Sequence, residues 1–458
     1  MSLLSALSSG ASGLFAASTG IDVTSHNIAN ANTPGYTARS VLLSPSDPLM
    51  RGTVSIGQGV DVAGVLRPTD GLLGIRTMAT AGVSSAATTL HQQLSSVEHW
   101  FDESISAGPS LSLASFFDAL GAATLDPSDP TARTEVLHAA SSLASNLNDT
   151  SNGLSSSLAG ISTSMEESTP AINTVLQEVA DLNERIVLAG GSLTAGDLAD
   201  QRDLLLRQLS EELGTTVSYG ADGTANVYLG GHALVEGGEA RKLEASLDED
   251  GRAILEVSVS GQATVDVTED LGGRLGGLRD SWDTIASYID DLDSFATAFA
   301  TVLNETHAAG FDAHGQPGSA MFTWDPSDPA GSLQVDPALD ADPNLLAFAS
   351  DPSATAGDAG NLQALLDLED TDIVDGKKPG EFLSGLTNRV GTDVAAAAST
   401  SDRHSASLAD LDSLGQTLRG VDLDQEAVNL MEWQTAYQAA AKVLEVVDES
   451  LGILMELP

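Results

Sequence analysis

The sequence predicts a mainly α chain with an inserted β domain, an α+β architecture whose two ends form a coiled-coil stem. Three observations carry this: heptad-spaced apolar residues at both termini, long helical stripes in the interior, and a turn-punctuated block of alternating residues over 214–271. The 458 residues exceed one ordinary core, since single domains run to about 100–200 residues. Several units, in series or nested, are expected. Apolar residues make up 42% and aromatics only 4%, so Leu, Val, Ile and Ala must fill the cores, which favours helices.

At the N-terminus, Leu7, Leu14, Ile21 and Ile28 fall at intervals of seven, with Leu3, Gly10, Ala17 and Thr24 as companions. The companion row is small, so another helix can approach closely. Pro34 disfavours helical geometry in Thr33, and Gly35 follows, so the helix should stop near Asn32. Asn27 and Asn30 share a face, where their amides could satisfy backbone groups of a neighbouring chain. At the other end, Leu430, Trp433, Tyr437, Ala440, Leu444, Val447, Leu451 and Leu454 alternate spacings of three and four, the a/d seam of a coiled coil. The predicted helix, Val428 to Glu456, would be roughly 43 Å long. Two amphipathic helices packed within one domain would show the same heptads. Pairing ends more than 380 residues apart, however, returns the whole chain to one stem, whose helices would order when neighbouring subunits cover them.

Between the ends, Ile172, Val175, Val179, Leu182 and Ile186 form one stripe, and Trp282, Ile285, Ile289, Leu292, Ala296, Phe299 and Leu303 another. Long helical stretches are expected at roughly 85–210 and 280–305. Asp203 and Arg207 lie four apart, as a surface pair on a solvated face would. Segments Thr215–Tyr219, Ala225–Leu229, Lys242–Leu247, Ala253–Ser260 and Ala263–Thr268 read as strands, with turns at Asp222-Gly223, Gly230-Gly231 and Asp250-Gly251. Residues 310–375 are loop-rich and either form irregular outer structure or extend the β domain.

Charge excludes some partners. Nineteen Lys and Arg face 65 Asp and Glu, a formal net charge of -46, which repels nucleic acid and anionic membrane surfaces. Residues 1–40 hold one acid, Asp22, and one base, Arg39, so the uncharged N-terminus is expected to be buried. Cysteine is absent, removing disulfides, thiolate zinc sites and cysteine nucleophiles. No cleaved signal is expected, since no Lys or Arg precedes Arg39 and polar residues interrupt each apolar run. No run approaches the 18 continuous apolar residues of a membrane span.

Catalytic, metal and cofactor motifs do not emerge. His307, Asp312 and His314 would lack a third zinc ligand and read as a helix end before a Gly315-Gln316-Pro317-Gly318 turn. His404 falls in the row of Leu383, Leu386, Val390, Ala397, Leu408 and Leu411, as a satisfied core or interface histidine. Asp-Pro-Ser-Asp-Pro occurs at 126–130 and 325–329, where Asp as N-cap before Pro explains the pattern more simply than calcium.

The run His26-Asn27-Ile28-Ala29-Asn30-Ala31-Asn32-Thr33-Pro34-Gly35-Tyr36 resembles the N-terminal signature of flagellar rod, hook and hook-associated axial proteins. Gly420-Val421-Asp422-Leu423-Asp424-Gln425-Glu426-Ala427, with Gln434-Thr435-Ala436-Tyr437-Gln438-Ala439-Ala440-Ala441-Lys442-Val443, resembles their C-terminal signature. Inside, Ser115-Phe116-Phe117-Asp118-Ala119-Leu120, Asp126 to Arg133, Asp181 to Ile186, Asp197 to Asp203 and Leu275 to Asp280 are similar to the helical domain of the first type of hook-associated protein. Against that family the chain is short, which implies an outer domain reduced or missing. The resemblance implies a structural, non-enzymatic subunit of the hook-filament junction, forming a homo-oligomeric ring through its terminal helices. Implied partners are the hook protein, the second junction protein and an export chaperone at the C-terminal helix. Implied location is the extracellular flagellum, reached by type III export. A hook or distal-rod protein, or an axial protein with an enzymatic outer domain at 214–375, are the alternatives.

The implied assembly residues are Leu7, Leu14, Ile21, Asn27, Ile28, Asn30, Pro34, Gly35 and Tyr36 at one end. Leu430, Trp433, Tyr437, Leu444, Val447, Leu451 and Leu454 are their counterparts at the other. Expected domains are a stem (1–35 and 421–458), a helical rod domain with a small β-hairpin region (36–213, 272–309 and 376–420), and an outer β domain (214–271), to which 310–375 is an optional addition.

Overall fold

The chain leaves a two-helix stem, builds a helical body, and returns to the stem. The computed structural model describes residues 3–51, 54–101, 108–190, 193–258, 264–353 and 357–455. Helix α1 (Leu3–Asn30) is followed by a long antiparallel ribbon. In it β1 (Ser40–Pro45) pairs with β4 (Val60–Leu66), and β2 (Leu49–Arg51) with β3 (Val54–Ile56). A bulge between Leu42 and Leu43 bends the ribbon, and Ser12 of α1 accepts the Val60 amide at 3.2 Å.

The helical stretch expected over 85–210 is four helices: α2 (Gly71–Glu98), α3 (Pro109–Ala123), α4 (Pro130–Ala189) and α5 (Leu193–Leu213). Local chemistry sets where they start. Pro109 and Pro130 each occupy a first turn, where the missing N–H removes no intrahelical bond. Asp129 caps α4 by accepting the Thr131 amide at 2.8 Å. Helix α4 runs 60 residues, roughly 90 Å, and buries Ile172, Val179, Leu182 and Ile186 as its stripe predicts.

The inserted block forms two antiparallel sheets. One orders β5 (Thr216–Tyr219), β6 (Ala225–Leu229), β7 (His232–Glu236) and β8 (Glu239–Ala240); the other orders β11 (Val265–Asp266), β10 (Ala253–Val257) and β9 (Leu243–Leu247). Val259, Ser260 and Ala263, at the ends of two expected strands, lie outside the described residues. Helix α6 (Gly273–Ala308) follows, and its buried Ile285, Leu292, Ala296, Phe299 and Leu303 reproduce the second stripe.

Residues 310–375 carry β12 (Phe322–Thr323), α7 (Pro329–Ser332), β13 (Gln334–Val335), α8 (Pro337–Ala341) and α9 (Gly360–Leu366). They pack on α3, α4 and α6, and β12 and β13 pair with each other, not with the inserted sheets. Asp328 and Asp336 cap the short helices ahead of their prolines. Helix α10 (Pro379–Arg419) then lies along α2, and α11 (Leu423–Met455) packs against α1. The start of α11 precedes the expected Val428, and Glu456 lies outside the described residues.

One apolar core runs through helical body, sheets and cap. The scarce aromatics are concentrated, not diluted: Phe116, Phe117, Phe295, Phe299, Phe322 and Phe382 form one ring cluster. His404 corrects its expectation, being half-exposed on α10 while Leu383, Leu386, Val390 and Ala397 of the same row are buried. Their partners end before the helix reaches His404.

His307, at the end of α6, is fully buried. Its Nδ1 donates to the Ser319 carbonyl at 2.6 Å and its Nε2 accepts the Ala347 amide at 2.9 Å, which requires the neutral ring. Burial pushes its pKa below the ordinary histidine value. The unfolded chain therefore binds a proton that the folded one refuses, and stability should fall as pH drops below about 6.5, by up to about 1.4 kcal/mol per pH unit. Urea unfolding between pH 7.5 and 5.5 should show a steeper loss for the native chain than for His307→Gln. Parallel slopes would remove this role.

Candidate assembly interface

Helices α1 and α11 pack antiparallel, with Gly20 opposite Trp433, Gly13 opposite Ala440 and Gly10 opposite Leu444. A Cβ on Gly20 would collide with the indole of Trp433, and one on Gly10 would come within 2.9 Å of Leu444. Small residues on α1 thus let large side chains of α11 seat on its backbone. Gly10, Ala16, Ala17, Gly20, Val23 and Thr24 are buried there.

This corrects one assignment. Leu14, Ile21 and Ile28 are only half-buried and Leu7 is exposed, so they flank the seam and the small companion row occupies its centre. On α11, Leu430, Trp433, Leu444 and Leu451 are half-buried and Val447 buried, whereas Tyr437 is exposed. The Leu454 side chain lies outside the described set. The uncharged N-terminus is likewise buried on one face only: Phe15 is 64% exposed.

Where the stem meets the body, Asn27 is 1% exposed and every hydrogen-bonding position of its amide is used. Nδ2 donates to the Arg39 carbonyl (2.8 Å) and to Glu426 Oε1 (3.0 Å). Oδ1 accepts from the Tyr36 hydroxyl (2.7 Å) and the Arg39 amide (3.0 Å). Asn30 donates to the His26 carbonyl and accepts from Thr33. Both asparagines therefore satisfy groups of their own chain, not of a neighbour, because the turn at Pro34 folds Tyr36 and Arg39 back over α1. Gly35 makes that turn possible: its φ is +75°, and a Cβ would lie 2.7 Å from Leu204. Burial pushes the Tyr36 hydroxyl up to about 12, so it remains a donor.

Next to this hub, Asp197, Asp200 and Asp203 recur at i, i+3 and i+6 on α5, one face of the helix. Arg39 reaches Asp197 (2.6 Å) and Asp200 (3.0 Å); Arg67 reaches Asp200 (2.7 Å) and Asp203 (2.6 Å). The expected Asp203–Arg207 pair on a solvated face is not formed. Arg207 instead donates to both oxygens of Asp412 on α10, at 2.8 and 2.9 Å, a bidentate geometry the local pair cannot offer. A second saturated amide, Asn183, joins α4 to the sheets through Ala225 and Gly237 and accepts from Arg202. Sequence reasoning missed Arg39, Arg67, Asp197, Asp200, Asn183 and Glu426 as junction residues. The acidic triplet at helical spacing in a chain so poor in arginine was the available signal.

A model of the helical domain of the flagellar hook-associated protein FlgK matches residues 94–322, half of the chain. The chain belongs to this family. Its ends match the flagella basal body rod protein model over 7–37 and the C-terminal model of the basal body rod FlgEFG proteins over 419–457. Flagellar hook-associated protein 1 of Salmonella typhimurium is 27% identical over 545 aligned positions, covering 97% of this chain and 98% of that protein. The Bacillus subtilis protein of the same name is 26% identical, covering 94% of each. The Salmonella alignment is longer than this chain's 458 residues, so that relative carries stretches with no counterpart here. The solved FlgK hook junction protein of Burkholderia pseudomallei shares the fold, with a TM-score of 0.65 at 17% identity over 74% of this chain and 99% of that one.

Two substitutions test the junction. Asn27→Ala orphans the Glu426 and Arg39 groups and should cost about 1–3 kcal/mol for each buried group left unpaired, seen as faster hydrogen exchange in both α1 and α11. Asp200→Ala leaves two arginines facing each other without their shared carboxylate and should cost about 3–5 kcal/mol, measured by urea unfolding. Exchange or unfolding at the native rate in either variant would refute the corresponding contact.

Proposed function

We propose that the chain is a structural subunit of the bacterial flagellum, forming a homo-oligomeric ring between hook and filament through its paired terminal helices. The observation that carries this is an apolar stripe on the outside of the stem. Val428, Met431, Val443, Val446 and Ile453 recur at helical spacing on α11 and are exposed, Met431 and Ile453 each by 59%. Phe15 and Leu7 of α1 add to it. The seam with α1 already uses the other face of α11, so a second apolar face has no partner within the chain.

The family resemblance supports the rest of the reading: the hook protein and the second junction protein as axial neighbours, and an export chaperone covering α11 before assembly. It also supports type III export to the cell exterior without a cleaved signal. No helix of the described residues is long and apolar enough to cross a membrane. The role is read as structural, not catalytic, with no cofactor. As units we assign 1–35 with 421–458 as stem, 36–213, 272–309 and 376–420 as the rod domain, and 214–271 as an outer domain. Residues 310–375 join the rod domain on their packing.

Charge substitution separates stem pairing from assembly. Val446→Asp, on the outer stripe, should leave helical content unchanged and abolish incorporation into flagella. Leu444→Asp and Leu451→Asp, on the inner seam, should unpair the stem, leave the body folded and also abolish incorporation. Normal filaments on cells carrying Val446→Asp would end this reading.

A further inference from the structure

Beside the junction, between the start of α2, α5 and the end of α10, lies a cleft of 710 Å³, within the range of sites that take small ligands or side chains. Four arginines line it: Arg67, Arg202, Arg207 and Arg419. Arg67 and Arg207 are held by carboxylates. Arg202 and Arg419 form no ion pair among the described residues. Arg202 is 4% exposed and Thr77, also in the lining, is 8% exposed; Arg202 Nε and Thr77 Oγ1 have no hydrogen-bond partner. Buried polar groups are ordinarily paired, so two orphans in one cleft point to a missing acceptor.

The surroundings favour an anion. Gly71 and Gly74 of the first turn of α2 line the cleft, and a Cβ on either would meet nothing within 4 Å. The positive end of a 28-residue helix dipole is thus open to it. Asp70 caps the Leu73 amide there, at 2.9 Å. Met78, Ile186 and Leu204 give part of the lining an apolar character, suited to the carbon chain behind a carboxylate.

We propose that this cleft binds a carboxylate, and that a second copy of the chain supplies it. The second part rests on the assembly reading above. Copies carrying a net charge of -46 repel one another, and a docking point between them needs unspent positive charge where an acid-covered surface arrives. Arg202 and Arg419, with no acid of their own, offer that charge.

Calorimetry of the full chain with sodium citrate, at constant ionic strength set by chloride, tests the site without requiring assembly. Saturable binding is expected, weakened about tenfold or more in Arg419→Gln through loss of one charge-assisted hydrogen bond. Circular dichroism checks that the variant is folded. No binding to the native chain, or equal binding to Arg419→Gln, overturns the site. For the source, a photo-crosslinking residue replaces exposed Gln416, which lines the same cleft. In assembled flagella, a crosslink to another copy of this chain is expected. A crosslink to a different protein, or none, overturns the second-copy source and leaves a free carboxylate as the ligand. Absence of the chain from flagella would instead overturn the assembly reading, with calorimetry still deciding the site.

Discussion

The architecture depends on the close antiparallel approach of α1 and α11. That contact places Asn27 against Glu426, so everything between them must begin and end at one point. Loop-closure entropy grows only slowly with length, but two exposed helices joined by one seam are a weak clamp for so long a connection. The body does much of the closing. Helix α2, which follows the ribbon, lies along α10, which precedes the stem, and the Ala38 amide donates to the Arg419 carbonyl at 2.9 Å. The stem helices therefore emerge side by side, and the seam needs only to extend a proximity the body has already created.

Electrostatics explains why the junction is built from arginines. In a chain with 19 bases, each base is a limited resource for offsetting self-repulsion. Arg39 and Arg67 bridge the ribbon to the acidic column of α5, Arg207 ties α5 to α10, and Arg133 holds the cap through the Pro343 and Leu346 carbonyls. These are joints between elements distant in sequence. The surplus acids remain on the outside, where water solvates them.

Periodicity made most of the helices legible. The stripes at 172–186 and 285–303 needed only their own spacing, because a buried face is written locally. The Pro34-Gly35 stop was equally local. What stayed hidden was pairing. Asp203 and Arg207 satisfy the i,i+4 rule, yet Arg207 turns to Asp412, 205 residues away, since two parallel bonds outweigh a flexible surface contact. Asn27 and Asn30 could be recognised as recognition amides, but not that Tyr36, Arg39 and Glu426 would consume them. Nor could the heptads show which row of α1 faces inward. Leucines suggest a seam by hydrophobicity, whereas Gly10, Gly13, Ala17 and Gly20 win it by closeness.

That choice has a consequence for assembly. A seam of glycine and alanine against large side chains draws the helices together and displaces Leu7, Leu14 and Ile21 to its margins, where they are half-covered at best. Had the leucines faced inward, the pair would have hidden its bulk apolar surface and presented only small residues outside. The observed arrangement does the opposite, aligning the flanking leucines and Phe15 near the outer stripe of α11. Two helices share one interface, and each of these carries apolar residues on more than that interface can cover. The stem is consequently closed toward its own chain and open toward others, which is the geometry a subunit needs if the pairing must be complete before assembly and the remaining burial reserved for it.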